Sequence, residues 1–383
     1  MTIDQPLKIG FKLNSYKIES TSVTRYKALQ DCKLKGVLDA KGETKLLAYS
    51  INNELGILIH ELMEDSLYED FPNTEAKIKT FFEEIISNKE QKLKSNNLLS
   101  PFLPFNKTDF FAVKKLRAVR NAFLEHTNPK NTLLKRSRDS SKTKNRAFGP
   151  EVYLEITDKE SNIKIIGKID KVSIDDEGKI VLTDYKSGEI LDEAGQLKIS
   201  FKDQLEIYAA IYLKQFGKSP SKLIVENLQQ KNQEWIFDET SSMKLLKLCI
   251  QQIIKLNKQL SSMEDSDLNE LLCDNSESGC KFCPYKPKCH KFLKKIESMD
   301  REELIQEKNI YGKFIQAKPH KDPSIHIVEI ESNGQEISIW TKDHTKHPDF
   351  NKLAVGTKVG FFNLKVNQGQ FVEKISTRSY FYE

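Results

Sequence analysis

Apolar positions in the first third of the chain recur at three- and four-residue spacing, the period of a helix buried on one side. Residues 20–39 read as a short helix behind a Ser/Thr cap, with Cys32 near its end. Residues 53–65 read as a second, with Leu55, Leu58, Ile59 and Leu62 on one side and His60 inside it. Residues 74–92 and 108–127 carry the same spacing. Beyond 150 the period changes: Val152–Ile156, Ile163–Val172 and Lys179–Tyr185 read as successive strands. An amphipathic helix over 198–216, a strand over Lys222–Leu228 and a long helix over 239–262 follow. This order predicts an α/β fold, a central mixed sheet flanked by helices.

The tail has a pattern of its own. Tyr311–Ala317, Ile325–Glu331, Gln335–Thr341, Lys358–Leu364 and Gln370–Ile375 are five short strand candidates separated by turns such as Asn333-Gly334. They predict a small all-β, OB-like domain over 309–383 behind a larger domain over 1–308. Phe314, Trp340, Phe361, Phe362 and Phe371 are expected mostly to fill the core of that small domain, although aromatics of this kind also stack on bases.

A chain of 383 residues is long enough for two or more domains. Charged residues at 30% and a negative mean hydropathy point to a soluble protein, and no run of eighteen apolar residues suggests a membrane span. The N-terminus lacks a basic segment followed by an apolar one, which argues for a cytoplasmic rather than a secreted protein. The net charge of +5 permits a polyanionic partner without specifying one. The charge is uneven: Lys130, Lys135, Arg136, Arg138, Lys142, Lys144 and Arg146 face a single acid, Asp139, over 130–146. That stretch reads as a flexible basic loop, suited to phosphate contact and equally to being a solvated insertion.

The six cysteines are Cys32, Cys249, Cys273, Cys280, Cys283 and Cys289. Cys280-x2-Cys283-x5-Cys289 is a compact cluster, with Pro284 and Pro287 favouring a ligand-presenting loop. Three thiolates are one short of a four-cysteine site, and Cys273 and Cys32 are both candidates for the fourth. Spacing leaves zinc and an iron–sulfur cluster open. Cys249, in the apolar run Leu245–Leu256, reads as a buried helix cysteine.

The most specific chemistry lies between residues 167 and 186. Asp184 and Lys186 share one face of a strand because i and i+2 do, and Asp170 ends the neighbouring strand candidate. Two carboxylates are hard oxygen ligands suited to Mg²⁺ or Mn²⁺. Such an ion polarises a phosphate and acidifies a bound water, while a lysine orients that water or offsets developing charge. An Asp-x-Lys on a strand is equally a solvated face with a cross-strand ion pair. Gln204 and Tyr208, four apart on the following helix, add a second polar feature nearby, and His60 becomes relevant as a third metal ligand.

These motifs together resemble the PD-(D/E)XK nucleases of the RecB/AddB type, in the iron–sulfur subgroup that includes the CRISPR-adaptation nucleases. The G-x-x-x-H helix is matched by Gly56–His60, G-x-x-D by Gly167–Asp170, D-x-K by Asp184–Lys186 and Q-x-x-x-Y by Gln204–Tyr208. One cysteine precedes the core and three follow as C-x2-C-x5-C, matched by Cys32 and by Cys280, Cys283 and Cys289. The resemblance spans about residues 20–292. It implies a restriction-endonuclease-like fold and a metal-dependent DNA nuclease in which His60, Asp170 and Asp184 bind Mg²⁺ or Mn²⁺ and Lys186 acts on the water. Gln204 and Tyr208 would support the site or contact DNA. It also implies a [4Fe–4S] cluster on Cys32, Cys280, Cys283 and Cys289. Its expected substrate is single-stranded DNA or duplex ends, cut as an exonuclease in repair, recombination or defence. No GxxxxGK[ST] loop is present, so a helicase or a recombination or CRISPR-adaptation partner would be a separate chain. The rivals are a non-catalytic DNA-binding subunit that keeps the fold and the cluster, and an unrelated zinc-binding structural protein. The chain departs from the pattern in Lys33, where proline is usual, and in the helical insertion over 66–148.

Overall fold

The computed structural model describes residues 5–48, 50–108, 110–129, 146–228, 232–274, 276–342 and 346–383. The basic loop expected over 130–146 lies outside these residues except for Arg146, whose guanidinium donates to the Pro150 carbonyl.

Strand β1 (Ser20–Ser22) leads into helix α1 (Val23–Asp31), capped by the Ser22 hydroxyl, which accepts the Arg25 N–H at 3.2 Å. The single helix expected over 20–39 is interrupted. Cys32 is extended (φ −164°, ψ 119°), and α2 (Lys33–Lys41) starts after it. Leu29, Leu34, Val37 and Leu38 bury in one core, so their spacing does not reveal the break.

Helices α3 (Ile51–Asp65), α4 (Glu75–Leu93) and α5 (Phe111–Thr127) form a helical block. Leu55, Leu58, Leu62, Phe82, Phe105 and Ala122 give it a separate apolar core, which reaches Tyr185 of the sheet.

The central sheet contains β2 (Gly149–Thr157), β3 (Lys164–Ile174), β4 (Ile180–Lys186), β5 (Lys222–Asn227) and β6 (Gln233–Ile236), with α6 (Ile199–Phe216) between β4 and β5. Its order is β1-β3-β4-β5-β6, and β2 lies along the other edge of β3. The β1–β3 and β4–β5 pairs are parallel and the rest antiparallel, so the sheet is mixed and restriction-endonuclease-like, as expected. Helix α7 (Glu239–Ser262), capped by Asp238, packs on α6.

Four short helices follow: α8 (Asp265–Leu272), α9 (Glu277–Lys281), α10 (His290–Glu297) and α11 (Arg301–Glu307). The tail then forms a curled sheet of seven strands rather than five: β7 (Ile310–Pro319), β8 (His326–Ser332), β9 (Gln335–Thr341), β10 (Lys358–Phe362), β11 (Lys365–Asn367), β12 (Gln370–Val372) and β13 (Arg378–Phe381). Asn333 and Gly334 both have positive φ (50° and 70°), as a tight two-residue hairpin requires. Phe314, Phe361, Phe362 and Phe371 are buried, in line with a core role, whereas Trp340 is half-buried with its ring 5.0 Å from His320. The tail is tied to the rest of the chain: the Tyr380 hydroxyl donates to the Leu46 carbonyl (2.6 Å) and that of Tyr382 to Pro287 (2.9 Å). Among the described residues no helix is long and apolar enough to cross a membrane.

Candidate active site

Backbone pairing between β3 and β4 runs only from Ile174↔Ile180 to Lys171↔Thr183. Beyond that the strands part, and side chains take over the backbone groups released there. The Asp170 carboxylate accepts the Tyr185 N–H at 2.6 Å, a bond that fixes it at the mouth of the split. Asp184 lies across from it, and both are almost wholly buried, 7% and 4% exposed.

His60 enters from α3, its Nδ1 3.5 Å from Asp170 Oδ2. Gly56, one turn earlier, lets the helix come this close, because a Cβ there would sit 2.9 Å from the Ser187 hydroxyl. Lys186 pairs with Asp184. Burial alone would lower the lysine's pKa, but the Asp184 and Asp170 carboxylates outweigh it and hold the ammonium above its usual value. Burial also works to raise Asp170, yet His60, Lys186 and the Tyr185 N–H leave it below the usual carboxylate range. Asp184 is raised, first by burial and then by repulsion from Asp170, despite Lys186. The site is therefore two crowded, dehydrated carboxyls with one firmly charged lysine.

Gln204 and Tyr208 reach the same place from α6, with Gln204 Nε2 donating to the Tyr208 hydroxyl at 3.3 Å. The Tyr208 ring fills the space above Gly167: a Cβ on that glycine would lie 2.3 Å from Cε1. Thr24 of α1 hydrogen-bonds the same tyrosine. The structure thus brings His60, Asp170, Asp184, Lys186, Gln204 and Tyr208 together.

Several neighbours were not anticipated. Lys27 of α1 stands over the Phe201 ring, 4.9 Å from its centroid, and Lys186 stands 5.4 Å from the same ring. Glu64, one turn beyond His60, hydrogen-bonds Glu151 and pairs with Lys168 at 3.6 Å; burial, followed by Glu151, pushes its carboxyl to about 9. Tyr185 points the opposite way from Asp184, and its hydroxyl donates to Glu125 of α5 at 3.1 Å. Glu125 also pairs with the buried Lys171. Glu226 stands beside them, raised to about 7 by burial and by Glu125. In sequence, only the three- and four-residue spacing of Thr24, Lys27 and Asp31 hinted at a second polar face on α1.

Cys32, Cys273, Cys280, Cys283 and Cys289 line one small pocket with Leu34, Leu38, Tyr285 and Phe292. Five thiols therefore meet where four were expected. Both candidates for the fourth position are present: Cys273 Sγ is 3.4 Å from Cys289 Sγ, and Cys32 hydrogen-bonds Cys273. Gly279 permits the closure, since a Cβ there would lie 2.5 Å from the Asp31 carbonyl. Burial pushes Cys283 up to about 12 and raises Cys280, so thiolates here need a cationic partner. Cys249 lies apart, buried in α7 as expected.

The donor sets suit the expected groups: carboxylates and imidazole for a hard divalent cation, soft thiols in an apolar pocket for zinc or iron–sulfur. Among the described residues, no three His, Cys, Asp or Glu side chains are arranged to hold a metal ion as they stand. At the split strands Lys186 engages Asp184 and the Tyr185 amide engages Asp170.

No curated protein matches the chain. A solved structure described as "Crystal structure of SSO0001" is 16% identical and the match covers 73% of this chain and 89% of that one, but its TM-score of 0.29 is too low to bear on fold or function. The family model for the PD-(D/E)XK nuclease superfamily matches residues 20–290, a span that begins at β1 and ends one residue past Cys289. With the split strands, the helix bearing His60 and the helix bearing Gln204 and Tyr208 all inside that span, the chain belongs to the PD-(D/E)XK nuclease superfamily.

Proposed function

We propose that this protein is a Mg²⁺- or Mn²⁺-dependent deoxyribonuclease of the RecB/AddB type, acting as an exonuclease on single strands or duplex ends. The observation that carries the reading is the pair Asp170 and Asp184. Two dehydrated carboxyls that repel one another, beside an imidazole and a charged lysine, form a site whose energy a divalent cation would lower. Asp170, Asp184 and His60 would hold that cation. When bound, it supplies a Lewis acid for the phosphate and acidity for a water.

The protein's own groups do the rest. Lys186 remains charged through the neutral range and would act on a phosphate oxygen or the attacking water. The Tyr185 amide keeps Asp170 from rotating away. The Gln204–Tyr208 pair, braced by Gly167 and Thr24, would contact the strand being cut or support the site.

We assign the cysteine pocket to a [4Fe–4S] cluster on Cys32, Cys280, Cys283 and Cys289. The curled sheet over 309–383 would be a distinct domain, and a motor or recombination partner would be a separate chain in the cytoplasm. The test is cleavage of labelled single- and double-stranded DNA by anaerobically purified protein, with and without Mg²⁺ or Mn²⁺. Cleavage should require the metal and fall by at least about 10²-fold in Asp184→Ala and Lys186→Ala. Tight DNA binding with no cleavage under any metal would replace this reading with a non-catalytic DNA-binding subunit.

A further inference from the structure

Lys27 is an unusual lysine. It is half-buried, and among the described residues its ammonium has no hydrogen-bond or ion-pair partner. Its neighbours are mostly cations. Lys186 shares the Phe201 ring with it, and Lys198 and Lys35 add to the repulsion, so burial and these charges lower its pKa. Asp31, the acid that offsets part of this repulsion, is itself paired with Lys35 at 3.8 Å. Lys198 is engaged by the Glu189 carbonyl at 2.9 Å, and Lys186 by Asp184. Among the described residues Lys27 thus has no direct anionic partner, and it shares the Phe201 ring with Lys186 of the candidate site.

Holding two ammonium groups over one ring costs free energy in the absence of an anion. The face of Phe201 offsets part of that cost, because the ring's electron-rich face attracts a cation. The remainder is best offset by a ligand that carries negative charge. We propose that Lys27, held beside Lys186 by the shared Phe201 ring, forms a subsite for a DNA backbone phosphate next to the one being cleaved. The subsite takes its ligand class from the nuclease reading. Phe201 aligns the two ammonium groups, Lys27 binds the neighbouring phosphate, and Lys186 is left to the scissile one. A strand with a phosphate in this subsite is held in register on both sides of the bond to be broken.

The test separates binding from cutting. A fluorescein-labelled single-stranded oligonucleotide is titrated with the full-length protein in EDTA across a KCl series, for wild type, Lys27→Gln, Lys27→Ala and Lys27→Arg. Loss of one phosphate contact should flatten the slope of log K against log salt by about 0.7 and weaken binding equally for unrelated sequences. Lys27→Arg should keep the wild-type slope. A merely structural role would alter stability without removing one counterion from the slope, so melting curves of all four proteins accompany the titration. If the Gln and Ala variants keep the wild-type slope, or if the wild type does not bind the oligonucleotide, the subsite is wrong. Cleavage by the wild type in Mg²⁺ or Mn²⁺ is scored separately. Cutting with an unchanged slope overturns the subsite alone, whereas a flattened slope without cutting under any metal overturns the nuclease reading alone.

Discussion

Gly167 offers the sharpest test of how the site is packed. Adding one methyl group, Gly167→Ala, places Cβ 2.3 Å from Tyr208 Cε1, 2.9 Å from Cδ1 and 3.3 Å from Cζ. The ring is buried, and its hydroxyl is tied to Gln204 and Thr24, so it cannot swing into solvent. Either the strand or the ring must move. Overpacking of this kind costs about 1–3 kcal/mol, and alanine in a strand interior returns roughly 0.5–1 kcal/mol relative to glycine. The net loss should be about 1–2 kcal/mol. With an unfolding entropy of about 2.1 cal/mol/K per residue over 383 residues, that is only about 2 °C in Tm, so urea midpoints are the better readout. The decisive measurement is a double-mutant cycle with Tyr208→Ala. Without the ring the clash is gone, and Gly167→Ala should become neutral or slightly stabilising. An equal loss in both backgrounds would refute the packing argument and place the need for glycine in the backbone of β3. Cleavage should fall in Gly167→Ala by more than its small stability loss explains, because Asp170 lies on the same strand three residues on.

Other consequences follow from buried charge and from the cysteines. Glu226 binds its proton more tightly in the folded state, at about 7 against the ordinary 4.5, so its contribution is fully present below pH 4.5 and is lost as the pH rises to 7. Glu226→Gln should therefore be more stable than wild type at pH 8, by up to about 3 kcal/mol, and the two should converge near pH 4; a pH-independent difference would rule out titration of Glu226 as the cause. In the cysteine pocket, Cys32→Ala and Cys283→Ala should lose iron and the brown absorbance after anaerobic purification, whereas Cys273→Ala should keep both. Stoichiometric zinc in a colourless wild-type protein would overturn the iron–sulfur assignment.

The strands of the candidate site were legible because each side chain is dictated by local pattern: apolar runs led into Asp170 and Asp184, and period-two geometry put Lys186 beside Asp184. Helix α7 was equally clear, with one apolar stripe and a cap at Asp238. Distant contacts decided what was missed. The break at Cys32 is imposed by a pocket whose other thiols come from residues 273–289, and the flanking helices bury enough leucine to look continuous. Strand β6 exposes alternate residues at a sheet edge and has no apolar run to announce it. In the tail, β11 and β12 are three residues each, and β12 joins β9 in a parallel pair that a hairpin reading does not anticipate. Lys27 drew no reading at all, because nothing in the sequence says that Phe201 and Lys186 lie across from it.

These long-range contacts give the cysteine pocket a mechanical consequence at the active site. Helix α1 ends at Cys32, and on the same helix Thr24 bonds Tyr208 and Lys27 stands over Phe201. Lys27 and Cys32 are five residues apart, roughly 8 Å along a helix, too short for the helix to absorb a displacement by bending. Movement of Cys32 relative to the thiols at 280–289 therefore moves the wall of the site facing Lys186. On the opposite side, the Glu125 carboxylate holds Tyr185 and Lys171 against the helical block, which fixes the backbone between Asp184 and Lys186 from behind. The split strands are thus held from two directions by segments distant in sequence. Opening the cysteine pocket should disturb Lys27 and Tyr208 before it reaches Asp170, whose own restraint is the Tyr185 amide.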